Sequence, residues 1–163
     1  MSASKNEALI KRFYRAFAEL DSATMVASYA PEAKFEDPVF TLNGREEIGS
    51  MWTMLAENVK AKGRDDWKLD VSGISADANQ GKAHWEPRYR FSASGRLVHN
   101  IIDAEFQFKN GLIVAHRDRF SFWRWSRQAL GPAGLMLGWT PILLNKVRAT
   151  AAAKLAAFVA RRG

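Results

Sequence analysis

Three observations predict an α+β fold. Apolar residues recur at helical spacing before residue 63, the period changes to two after it, and turn signals then divide the chain into an antiparallel meander. Helices first and paired strands afterwards put the helices on one face of a curved sheet, with an apolar pocket enclosed between the layers.

Each element has its own warrant. Residues 4–20 read as a helix because Ile10, Phe13, Phe17 and Leu20 fall on one stripe. A second, short helix runs from about Ser22 to Tyr29 and stops before Pro31. Residues 33–37 read as a short strand closed by Asp37-Pro38. Asn43-Gly44 opens a third helix with Arg-Glu-Glu in its first turn and Ile48, Met51, Trp52, Leu55 and Val59 as its buried stripe. After the Lys62-Gly63 break, strands are expected over 67–75, 82–92, 96–109 and 112–123. Asp77-Ala-Asn79, Ser94-Gly95 and Asn110-Gly111 are the turns between them, the last a strong hairpin signal. Thr140 caps a final helix that has Pro141 in its first turn and Leu144, Val147, Ala151, Leu155 and Phe158 as its stripe.

The chain has 163 residues, 47% of them hydrophobic, with six Trp and ten Phe, which suits one domain around an aromatic-lined cavity. Without cysteine, it has no disulfide, thiolate metal site or cysteine nucleophile. The opening Met-Ser-Ala-Ser-Lys-Asn-Glu lacks the apolar run of a signal peptide, so a cytoplasmic location is expected. Net charge is +7 but uneven: from Arg119 onward there are eight bases and no acid, leaving 16 bases against 17 acids before it. That basic tail comes with no nucleic-acid-binding motif, and no nucleic-acid partner is expected.

Strand alternation singles out the polar residues that share a face with large apolar ones. His116 and Asp118 share parity with Phe120 and Phe122. Asn100 shares it with Val98, Ile102, Ala104, Phe106 and Phe108, and Asp37 with Phe35. In 82–92, Trp85, Pro87, Tyr89 and Phe91 face one way, and His84, Glu86, Arg88 and Arg90 the other. His84 and His99 read as surface residues. Burying a carboxylate without a partner costs several kcal/mol, so Asp37, His116 and Asp118 in an aromatic setting read as an acid–base site. The bland alternatives are an Asp-Pro turn for Asp37 and mutual satisfaction for His116 and Asp118, about 7 Å apart on one strand face. Tyr14 lies at the edge of the first helix's stripe, where a core role with the hydroxyl at the rim is usual.

The element order, joined to Glu36-Asp37-Pro38-Val39 ahead of Gly44 and a helix, resembles the nuclear transport factor 2-like superfamily. Within it the likeness is to SnoaL-like and ketosteroid-isomerase-like proteins. It covers roughly residues 5–123. The resemblance implies a cone-shaped, mixed sheet against three N-terminal helices, with residues 1–123 as the domain; residues 124–163 lie outside it and read, from their stripe and charge, as a basic amphipathic helical extension. The extension would pack on the same domain or on a dimer partner. It implies that Asp37 is the proton-shuttling base and Tyr14 the oxyanion donor, while Ala104 stands where the isomerase has its protonated Asp. The His116-x-Asp118 pair resembles that of SnoaL-like cyclases, in which an Asp on the last strand works with a nearby His. The Asp-Arg-Asp set of limonene-epoxide-hydrolase-like members has no match, since no Arg shares the pocket parity.

The implied function is cofactor-independent acid–base chemistry of isomerase, cyclase or hydrolase type on an apolar cyclic or carbonyl-containing metabolite. Asp37 or Asp118 would be the base and His116 would return a proton. Tyr14 and Asn100 would bind the oxyanion, and Trp52, Trp85, Tyr89, Phe106 and Phe120 would shape the pocket. One histidine and two carboxylates are thin support for a metal, and none is assigned. The competing reading is a non-catalytic binding module for an apolar metabolite. A homodimer is expected from the resemblance. For the last helix, packing over the pocket mouth or a second subunit is preferred to attachment at an anionic membrane surface.

Overall fold

Ser2 starts the first helix, α1 (Ala3–Ala18), its Oγ accepting from the Lys5 amide at 3.3 Å. The computed structural model describes residues 2–162. The buried face of α1 is Leu9, Ile10, Phe13, Tyr14, Ala16 and Phe17, the expected helical spacing. Asp21 caps α2 (Ser22–Ala27) through the Thr24 amide at 3.2 Å, and α3 (Arg45–Lys62) begins at Gly44, whose φ of 92° favours a residue without Cβ.

The sheet is mixed, curved and unclosed. Its strands are β1 (Tyr29–Glu36), β2 (Thr41–Asn43), β3 (Lys68–Ala76), β4 (Gln80–Arg90), β5 (Leu97–His99), β6 (Ile102–Lys109) and β7 (Leu112–Arg119). They lie in the order β2-β1-β7-β6-β4-β3, with β5 on β4, and only the β1–β7 pair is parallel. Asn110 and Gly111, with φ of 53° and 77°, form the tight turn between β6 and β7. Burial alternates along β6 without exception, so one face carries the core and the other meets solvent.

Four expectations need correction. Tyr29 begins β1 rather than ending α2, because its strand pairs with Ile113 across a register shift that accommodates Pro31. A short β2, not anticipated, pairs with β1. The expected strand 96–109 breaks at Asn100 and Ile101, where the Asn100 amide donates to the Pro87 carbonyl at 3.1 Å. The expected strand 112–123 stops at Arg119, since Ser121 caps a helix, α4 (Phe122–Ala129), through the Arg124 amide at 3.2 Å. Phe122 is therefore helical, not a strand residue.

After α4 come α5 (Pro132–Leu137) and α6 (Pro141–Arg162). Leu155 and Phe158 of α6 are buried and Leu144, Val147 and Ala151 half-buried, as its stripe requires. The helix lies against α3 and reaches the turn after β1. Arg162 pairs with Glu57 at 2.8 Å, and Arg148 Nε donates to the Pro38 carbonyl at 2.9 Å. Among the described residues no helix is long and apolar enough to cross a membrane.

Candidate functional site

The concave face of the sheet, α3 and α6 enclose a cavity of about 550 Å³. Its wall is largely apolar, and Asp37, Asn100 and Asp118 open onto it. A larger open concavity of about 960 Å³ lies on the outer face among Lys34, Glu36, Lys82, Glu105 and Arg117, a solvated charged surface.

Asp37 directly follows β1, where the chain must reverse into β2. Its Oδ1 accepts from the amides of Val39 at 2.8 Å and Phe40 at 2.6 Å, so the Asp-Pro turn is real. Among the described residues Oδ2 has no hydrogen-bond partner. Burial pushes the carboxyl from its ordinary 3.8 up to about 7. The Phe40 amide pulls the other way, the nearby Asp118 raises it further, and the Val39 amide and His116 lower it.

Asn100 sits at the strand break and is 3% exposed. Neither end of its carboxamide meets a hydrogen-bond partner among the described residues, and Oδ1 is fully enclosed. A buried amide left unmade costs about 1–3 kcal/mol, so this group suits a ligand or water in the cavity.

Asp118 and His116 share the inner face of β7. His116 Nε2 lies 2.9 Å from Asp118 Oδ1, which also accepts from Trp85 Nε1 at 3.3 Å. On its far side His116 Nδ1 lies 2.7 Å from the Tyr29 hydroxyl, which accepts from Trp52 Nε1 at 3.0 Å. A neutral imidazole satisfies the whole row: Nε2–H donates to Asp118 and Nδ1 accepts from Tyr29. Burial holds the Tyr29 phenol well above its usual range, so it serves as a donor rather than an anion. In sheet register Asp118 is directly opposite Ala104, the position at which the isomerase resemblance calls for an acid. The neighbouring strand thus supplies a carboxyl one cross-strand step away.

Trp52, Trp85, Tyr89 and Phe120 line the cavity. The Tyr89 hydroxyl accepts from Trp125 at 2.9 Å, and burial pushes it up to about 12. Three expected site residues stand behind the wall. Phe106 packs on the His116 ring at 4.4 Å, in the core layer. His116 reaches the cavity through Asp118. Tyr14 is 3% exposed, with a hydroxyl that has no partner among the described residues and that burial, then Asp118, hold well above the usual range. Parity identifies a face, but that face serves both core and cavity, so it does not separate a residue behind the wall from one that opens onto it. Sequence reasoning missed Tyr29, whose place at a helix end hid its strand parity, and Lys146 and Thr150, which bring α6 to the cavity mouth. Among the described residues no group of three or more His, Asp or Glu side chains is disposed to hold a metal.

No sequence match appears among curated proteins. Solved structures of similar fold include an epoxide hydrolase of the LEH-like type from M. tuberculosis (15% identity, 83% of this chain and 97% of that one, TM-score 0.64). A hypothetical protein with a ketosteroid isomerase-like fold from Catenulispora acidiphila, in complex with trimethylamine, is similar too (13% identity, 82% and 97% covered, TM-score 0.62). So is a nuclear transport factor 2-like protein of unknown function from Burkholderia pseudomallei (18% identity, 79% and 98% covered, TM-score 0.62). At such identities the likeness concerns the fold alone. The SnoaL-like domain model matches residues 10–116, a span that holds both Asp37 and His116, and the chain belongs to that family.

Proposed function

We propose that the cavity is the site of a cofactor-independent acid–base reaction on an apolar cyclic or carbonyl-containing metabolite. One observation carries the proposal: Asp37, Asn100 and Asp118 open onto the same, otherwise apolar void. Asp37 is the favoured base. It has a free Oδ2, and a carboxyl near 7 is half ionised at neutral pH, where proton transfer in both directions is efficient. Asp118 has its Oδ1 committed to His116 and Trp85, which suits a group that holds or relays a proton.

In the isomerase or cyclase form, the Asp37 carboxylate takes a proton from carbon next to a carbonyl. The electron pair moves to the carbonyl oxygen, where the Asn100 amide donates a hydrogen bond. The proton then returns from Asp37 to another carbon, or the enolate carbon attacks a second carbonyl whose oxygen takes that proton back from Asp37. In the hydrolase form Asp37 deprotonates a water whose oxygen attacks an epoxide carbon; the ring C–O bond breaks, and the released oxygen takes the proton back from Asp37. Trp52, Trp85, Tyr89 and Phe120 supply the flat apolar walls, and Tyr14 is left as a core residue near Asp118 rather than an oxyanion donor.

The runner-up is a non-catalytic binding module, favoured by the mutual saturation of His116, Asp118 and Tyr29. Proton-exchange measurement separates the two. Cyclic ketones are incubated with the protein in D2O and followed by NMR, with binding read from Trp fluorescence. The enzyme reading expects deuterium incorporation that Asp37→Asn abolishes while binding persists. Binding without exchange in the wild type, unchanged by Asp37→Asn, supports the module instead. Epoxides in the same panel test the hydrolase form.

A further inference from the structure

The apolar stripe of α6 is spent on the protein: Val147 and Ala151 line the cavity, and Leu155 and Phe158 are buried. It is therefore not free to lie on a membrane. The free apolar surface is the corner between α5 and α6. There Leu135, Met136, Leu137, Trp139 and Ile142 are 54%, 68%, 51%, 75% and 81% exposed. Five large apolar side chains exposed within eight residues are far from the scattered singles of an ordinary surface.

The corner is built rather than frayed. Trp123 Nε1 donates to the Leu135 carbonyl at 3.2 Å, Trp139 Nε1 to that of Met136 at 3.0 Å, and Thr140 Oγ1 to that of Leu137 at 2.6 Å. Gly134 brings α5 so close to α4 that a Cβ there would collide with the Ser126 carbonyl. Cations frame it. The Arg127 guanidinium lies 4.5 Å over the Trp123 ring, and Lys146 follows Ile142 by one helical turn. Neither has an ion-pair partner among the described residues, and the chain from Arg119 onward has no acid.

We propose that the α5–α6 corner is a peripheral docking element for an anionic bilayer. Met136, Trp139 and Ile142 enter the headgroup–acyl boundary, and Arg127 and Lys146 meet lipid phosphates. Charge decides between occupants. A second copy would bring two basic segments without acids of their own together, whereas anionic lipid complements both the apolar tip and its cations. The corner adjoins the cavity, since Leu143, Lys146 and Val147 line the mouth, so docking brings the opening to the source of an apolar ligand. The inference holds whether or not the cavity is catalytic.

The test is co-sedimentation of the full chain, at low salt, with vesicles of phosphatidylcholine alone or of equal parts phosphatidylcholine and phosphatidylglycerol. Binding to the anionic vesicles is expected to exceed that to the neutral ones by about tenfold or more. The Trp139→Ala/Ile142→Ser variant should lose about tenfold in binding, while Arg127→Gln/Lys146→Gln should erase the anionic preference. Trp139, Ile142 and Lys146 are exposed and Arg127 half-buried, and an unchanged near-ultraviolet circular dichroism spectrum verifies the fold of both variants. Brominated acyl chains should quench Trp139, an effect lost in Trp139→Phe. Three results overturn the proposal: no binding to either vesicle, binding indifferent to the apolar substitutions, or substitutions that turn an oligomer into a monomer without changing vesicle affinity. The last would assign the corner to a second copy.

Discussion

Two histidine–carboxylate clusters occupy opposite faces of one sheet. Inside, Tyr29, His116 and Asp118 form a row in which the His116 and Asp118 side chains are 0% and 2% exposed. Outside, His84 Nδ1 meets Asp103 at 2.8 Å, and His84 and His99 both meet Glu86 at 2.8 Å, with the three groups of that pairing about one-third exposed. Residue types and distances are nearly the same, so the difference lies in water and in which atoms face the imidazole. Both nitrogens of His84 face carboxylates, which favours the cation and raises its proton affinity. His116 faces a carboxylate and a hydroxyl, which a neutral ring satisfies by donating to one and accepting from the other. The outer cluster is an ion network at a wet surface. The inner one is a closed hydrogen-bond row in an apolar wall.

The largest effect expected from this contrast is on breaking the inner row. Asp118→Ala leaves His116 Nε2–H and Trp85 Nε1–H buried without an acceptor and should destabilise the fold by about 3–5 kcal/mol in denaturant unfolding. His84→Ala on the other face should cost less than about 1 kcal/mol. Equal costs would break the comparison. Tyr29→Phe comes next: it removes a hydroxyl that accepts from Trp52 and donates to His116, for a loss of roughly 2 kcal/mol. It should also slow any turnover that relies on the row while leaving ligand affinity little changed.

How far these residues could be found without coordinates depended on backbone regularity. Asp118, Asn100 and Asp37 stand at strand positions or next to them, where period-two alternation puts a polar side chain among aromatic ones, and their place on the inner face was readable. Their meeting at one void was expected through the resemblance and not from alternation, because β1, β7 and the β5–β6 break come together only through a parallel crossover and a strand interruption. Tyr29 escaped because Pro31 reads as a helix stop, while the register shift that makes it a strand residue is a tertiary event. The course of residues 122–140 escaped for a different reason: Gly and Pro suppress periodicity, and α4 and α5 are fixed by contacts such as Ser126 to Gly134. Tyr14 and Phe106 are on the expected face but one layer too deep.

Asp37 sharpens the contrast through pH. Its carboxyl is raised, so folding favours the protonated form. The fold carries no penalty below the unfolded value near 3.8, and the penalty grows until pH passes about 7. Asp37→Asn keeps the oxygen that accepts from Val39 and Phe40 while removing the charge. It should stabilise the protein by about 2 kcal/mol at pH 8, roughly half the full conversion of that gap because the cavity admits water, and by nothing near pH 4. Turnover should run the other way, rising through pH 7 in the wild type as the base ionises and vanishing in Asp37→Asn. A variant that is more stable yet inert separates site from scaffold; one that loses stability at pH 8 would place the carboxylate's worth in structure.

The smallest effect belongs to the outer cluster, and its sign is opposite. The proton affinity of His84 is raised, first by Asp103 and then by Glu86, so its contribution is complete below the unfolded value of 6.5 and is lost as pH rises through the folded one. His84→Gln should therefore cost under about 1 kcal/mol at pH 5.5 and almost nothing at pH 9, and added salt should shrink the cost by screening exposed charges. The inner row should respond little to salt, since water does not reach its hydrogen bonds. A salt titration of the His84→Gln and Tyr29→Phe costs, run side by side at pH 5.5, tests that distinction directly. If both fall together, the inner row is wetter than its burial implies, and Asp118 is better read as a solvated ligand contact than as the end of a closed hydrogen-bond row.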